Sequence, residues 1–102
     1  MTHNEKIKYI ADYYGSAQYM QTSEECSELI KALSKLQRAT SEENRLKMST
    51  AIGDVIEEIA DVEVILEQLK YLLDIPNSKT IEEIKEGKLD RQIRRIEETI
   101  NV

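Results

Sequence analysis

The sequence predicts an all-α protein, a bundle of four to five helices in one domain over residues 1–102. Three observations predict it. Apolar residues recur at spacings of three and four along most of the chain, only one proline and three glycines interrupt them, and one segment is apolar over more than half of its circumference.

From about Asn4 to Tyr14, Ile7, Ile10 and Tyr14 describe a short amphipathic helix that Gly15-Ser16 ends. From Ala17 to about Ala39, Cys26, Leu29, Ile30, Leu33 and Leu36 form a continuous stripe, the mark of a first long helix. Thr40-Ser41-Glu42-Glu43 fits a capping box, in which a Thr and a Glu three residues on satisfy each other's free amides, so a new helix is expected there. It either ends near Gly53 or runs through it. Ala51 to Leu73 carries Val55, Ile56, Ile59, Val62, Ile65, Leu66, Leu69, Leu72 and Leu73, and such a helix needs cover on two sides. Val62-Glu63-Val64 alone would pass for a strand, but the long helical period around it decides for helix. Asp74-Ile75-Pro76-Asn77-Ser78 is the strong break. Thr80-Ile81-Glu82-Glu83 is a second capping-box pattern, and Leu89, Ile93, Ile96 and Ile100 mark a terminal amphipathic helix with Gly87 as a place to bend.

Twenty acidic against fourteen basic residues give a net charge of −6, which disfavours nucleic acid as a partner. Cys26 is the only cysteine, so no intramolecular disulfide can form, and it reads as a small apolar residue. The polar start of the chain and the lack of a long apolar run point to a cytoplasmic protein with no membrane span. So small a chain with 40% apolar residues is also a candidate for self-association.

The acidic residues are not evenly solvated. Gln21, Glu25 and Glu28 flank one edge of the first stripe, with Glu25 and Glu28 one turn apart. Asp54, Glu58 and Asp61 fall at i, i+4 and i+7 in the second long helix, and Glu58 lies inside its apolar stripe. A carboxylate on a packing face needs a cation, either a basic side chain or a metal ion. A hard ion, Mg²⁺ or Mn²⁺, shared by Glu25, Glu28, Glu58 and Asp61 explains all four positions. A di-iron carboxylate bundle is disfavoured because His3, the only histidine, stands at the extreme N-terminus, where it is expected to be solvated. Glu24, Glu42, Glu43, Glu57, Glu63, Glu82 and Glu83 read as solvated surface.

Glu24-Glu25-Cys26-Ser27-Glu28, followed by Glu58-Ile59-Ala60-Asp61, resembles the E-E-x-x-E…E-x-x-D signature of the MazG-like all-α nucleoside triphosphate pyrophosphohydrolases. Gln21 to Ile30, Glu57 to Glu63 and Lys88-Leu89-Asp90-Arg91 look like the two core-helix segments and the C-terminal segment of small phage- and Firmicutes-type members. The resemblance covers about Gln18 to Arg95. The 29 residues between Glu28 and Glu58 depart toward the long end of that family's range. It implies a core completed by dimerisation, as a homodimer or a dimer of dimers (homotetramer). It also implies Mg²⁺-dependent hydrolysis of a nucleoside triphosphate between the α and β phosphates, giving a nucleoside monophosphate and pyrophosphate.

By motif position, Glu25, Glu28, Glu58 and Asp61 would be the metal ligands and Glu24 would orient or deprotonate the attacking water. Lys88 and Arg91, with Arg95 on the same face as Lys88, would contact the β and γ phosphates, and Gln21 with Tyr14 or Tyr19 would recognise the base. Two other readings are open: a dUTPase-like or dCTPase-like enzyme of the same fold with narrow substrate choice, and a non-catalytic helical interaction protein.

Overall fold

A computed structural model describes residues 1–73 and 79–101 of the chain. It is all-α: α1 (His3–Tyr14), α2 (Ala17–Ser41), α3 (Arg45–Leu72) and α4 (Lys79–Ile100), with no strand among the described residues. The expected break at 74–78 lies outside them.

A capping box starts α1, though not one foreseen: Thr2 Oγ1 accepts the Glu5 amide at 3.2 Å, and the Thr2 amide donates to Glu5 Oε1 at 3.3 Å. Gly15, at φ 57°, supplies the left-handed residue that turns the chain from α1 into α2.

The capping box expected at Thr40 is not formed. Thr40 Oγ1 instead donates to the Leu36 carbonyl at 2.9 Å, a bond that keeps Thr40 helical, and α2 continues through Ser41. Asn44 is the cap of α3, its Oδ1 accepting the Lys47 amide at 3.1 Å. Between the helices Glu43 stands at φ 54°, a conformation that costs an L-residue about 1 kcal/mol. Replacing Glu43 with glycine is therefore expected to raise stability by about 0.5–1 kcal/mol, read as a higher urea midpoint; a lower midpoint would contradict the strain.

With so short a turn, α2 and α3 lie antiparallel against each other along most of their length, and α3 runs unbroken through Gly53. Small side chains form the seam, with Ala32, Ala39 and Ala51 buried alongside Val55 and Ile65. α1 packs mainly on α3 through Ile7 and Ala11. Two polar contacts fasten it: Tyr71 Oη donates to Asp12 Oδ1 at 2.8 Å, and His3 Nε2 lies 3.0 Å from both carboxylate oxygens of Glu67. His3 is exposed as expected, but it has this partner. Cys26 is half-buried.

The fourth helix begins at Lys79, so Thr80 is inside it and not its cap, and it continues through Gly87. Among the described residues α4 packs on none of the other three helices, and Ile84, Leu89, Ile93, Ile96 and Ile100 are exposed along it. On α2 and α3 a second apolar surface is open, formed by Ile30, Leu33, Ile52, Ile56, Ile59 and Leu66. The accessible surface is 8305 Å², whereas a compact monomer of 11.8 kDa exposes about 5,900 Å². The radius of gyration is 17.7 Å, against about 13 Å for a compact domain of this length. Among the described residues no helix is long and apolar enough to cross a membrane.

Candidate metal centre

Two helical turns supply the site. Glu25 and Glu28 are three residues apart on α2, as are Glu58 and Asp61 on α3, so each pair projects from one edge of its helix. Antiparallel pairing then decides whether the two edges meet. The tight turn at residues 42–44 sets a register in which Ala39 and Ala51 line one cavity, Ala32 and Glu58 another, and the Glu25 side chain reaches both Glu58 and Asp61.

Each of Glu25, Glu58 and Asp61 offers a carboxylate oxygen within 4.8 Å of the others. Glu25 and Glu58 are half-buried and Asp61 is exposed. Glu58 Oε2 is buried without a hydrogen-bond partner among the described residues. Its burial holds the Glu58 carboxyl above the ordinary carboxylate range, and the negative charges of Asp61, Glu25, Glu28 and Glu57 push it the same way. The chain has thus placed an acid where it is desolvated and surrounded by like charge, and among the described residues no basic side chain answers it.

Glu28 does not belong to the tight cluster. Its carboxylate is exposed and accepts from Lys31 Nζ at 3.2 Å, one turn along the same helix. It still lines a cavity of about 160 Å³ with Lys31, Lys35, Asp54 and Glu58. An exposed i, i+3 ion pair of this kind is weak, so it holds Glu28 away from its neighbours only loosely. Glu24 is exposed and outside the cluster.

The other expected site residues are distributed less favourably. Gln21 is on the same edge of α2 as Glu25, half-buried, and accepts from Gln18 Nε2 at 2.7 Å. Tyr14 and Tyr19 are exposed. Lys88, Arg91 and Arg95 are exposed on α4, which does not pack on α2 or α3, so a single chain does not bring them to the carboxylates. Gln18 itself escaped the sequence reading. It is 1% exposed, its Oε1 has no partner among the described residues, and it stands seven residues before Glu25. That two-turn spacing, in register with Leu29 and Leu36, was the available signal.

Three carboxylates from two helices, one with a buried and unanswered oxygen, are an all-oxygen donor set that suits a small hard divalent cation. Mg²⁺ or Mn²⁺ fits them, and Glu25, Glu58 and Asp61 would be the protein ligands. No family model, curated protein or solved structure matches the chain.

Proposed function

We propose that this chain is a Mg²⁺-dependent nucleoside triphosphate pyrophosphohydrolase of the MazG-like kind, with Mn²⁺ as an alternative ion. The observation that carries the reading is the Glu25–Glu58–Asp61 cluster around the unpartnered Glu58 oxygen. The E-E-x-x-E…E-x-x-D pattern supplies the reaction class, hydrolysis of the α–β phosphoanhydride to a nucleoside monophosphate and pyrophosphate.

A bound divalent ion supplies neutralising charge for phosphate oxygens and a more acidic water. The chain's own part is geometric. Glu25, Glu58 and Asp61 would hold the ion from two helices fixed by the alanine seam, and Glu28 would join them on releasing Lys31. Glu24 lies next to Glu25 in the chain, exposed to solvent, and there it can orient or take a proton from the attacking water. Gln21 offers an amide to the substrate from the metal-facing edge of α2.

Lys88, Arg91 and Arg95 serve the phosphates when α4 is packed against α2 and α3, its own or another copy's. Self-association into a dimer or a dimer of dimers provides such packing, and it is supported by the roughly 2,400 Å² by which the chain's surface exceeds that of a compact monomer. An excess of that size is what an obligate homodimer interface covers.

The test is a panel of ribo- and deoxyribonucleoside triphosphates with Mg²⁺. At least one is expected to give its monophosphate and pyrophosphate in equal amounts, with the activity lost in EDTA and restored by Mg²⁺. Orthophosphate as the only phosphate product would reject α–β cleavage. A chain inert to the whole panel, and unshifted in melting temperature by Mg²⁺ or Mn²⁺, would be an interaction protein instead.

A further inference from the structure

Beyond the carboxylates, the α2/α3 groove changes sign. Toward the turn that joins the helices it widens into an open cavity of about 430 Å³, lined by Lys35, Arg38, Glu42, Lys47, Ala51 and Asp54 among others. Alanines at the seam make the room, since Ala39 and Ala51 leave space that longer side chains would fill. Lys35 and Asp54 line both this cavity and the smaller one that holds Glu28 and Glu58, so the two lie side by side with these side chains at their boundary.

Charge in the cavity runs against that of the chain. Lys47 is engaged by Glu42 at 3.3 Å, but among the described residues no carboxylate lies within ion-pair distance of Lys35 or Arg38. Two unanswered cations in a cavity of a protein with net charge −6 are an anion site in waiting. Helix dipoles do not explain them away. The negative end of α2 and the positive end of α3 meet at this turn and largely cancel, leaving the side chains to decide.

We propose that this cavity is a phosphate-chain subsite, in which Lys35 and Arg38 bind the terminal phosphates of a polyphosphate whose other end lies at Glu25, Glu58 and Asp61. The proposal rests on the hydrolase reading for its substrate. Lys35 lines the smaller cavity together with Glu58, and Arg38 follows three residues further along α2, so the carboxylates and the two cations are strung out along the helix pair and not gathered around one phosphate. Lys35, shared by both parts of the groove, stands where the chain of phosphates passes from one to the other, and Arg38 offers two parallel N–H donors to a phosphate. The groove thereby selects extended polyphosphates over monophosphates, and it adds contacts from α2 to those that Lys88, Arg91 and Arg95 of α4 make with the phosphates.

The experiment uses the full chain in EDTA, with inorganic pyrophosphate titrated against ¹H–¹⁵N spectra. Saturable shifts are expected around Lys35, Arg38 and Lys47. The double variant Lys35→Gln/Arg38→Gln should weaken binding at least about tenfold, with unchanged helicity because both side chains are exposed. Absence of shifts at these residues, or equal affinity in the double variant, overturns the subsite. The two readings fail separately. Pyrophosphate bound here by a chain that hydrolyses no nucleotide keeps the subsite and removes the enzyme. Hydrolysis with an unchanged KM in the double variant keeps the enzyme and removes the subsite.

Discussion

Glu58→Gln is expected to abolish pyrophosphate release, by on the order of a hundredfold or more, while leaving a folded protein that Mg²⁺ no longer stabilises. The amide keeps the size of the side chain and removes one charge from the cluster. Its effect on stability has a defined sign. In the ion-free protein the Glu58 carboxyl is held above its ordinary value of 4.5, first by burial and then by Asp61, Glu25, Glu28 and Glu57. A carboxyl with a raised folded-state pKa contributes stability that is fully present below the unfolded value and is lost as pH rises through the folded value. Glutamine has no proton to lose. Melting curves in EDTA should therefore show the variant gaining on the native protein as pH rises above the ordinary carboxyl value of 4.5. With Mg²⁺ the order should reverse, because only the native cluster gains from the ion. Were Glu58 instead the partner of a buried basic group, glutamine would lower stability at neutral pH with or without Mg²⁺.

The stripes of α1, α2 and α3 were legible because each helix buries one face and its apolar period records that face directly. Helix ends were less so. Thr40 carries the right residues for a cap, yet its hydroxyl has a competing acceptor in the Leu36 carbonyl, and the chain turns three residues later at Glu43 and Asn44. At Thr2 the same residue pattern does form the box, because Thr2 is extended and its hydroxyl accepts the Glu5 amide. For the carboxylates, spacing within each helix was readable, but their meeting depends on the register of α2 against α3. That register separates Glu28, held by Lys31, from Glu25, which reaches Glu58 and Asp61. Lys35 and Arg38 were unreadable for a different reason: their chemistry lies in a cavity made by alanines on two helices, which no local pattern records.

Ile56→Glu is expected to convert an associated protein into a monomer, seen in sedimentation as a fall to the mass of one chain. Ile56 is 61% exposed at the middle of the apolar surface that Ile52, Ile59 and Leu66 form with Ile30 and Leu33 of α2. On the helical wheel this surface faces away from the charged groove, on the opposite flank of the α2/α3 seam, so the substitution leaves the carboxylates and Lys35 in place. Burying that surface at about 25 cal/mol per Å² is a large driving force, and a carboxylate at its centre would have to be desolvated with no partner. Loss of assembly should also lower the melting temperature and make it independent of protein concentration. If α4 completes the site of a second copy, hydrolysis falls with the mass even though Glu25, Glu58 and Asp61 are untouched; if each chain carries a whole site, activity survives in the monomer. A native chain that sediments as a monomer at all concentrations would remove both alternatives, leaving Lys88, Arg91 and Arg95 only the groove of their own chain to serve.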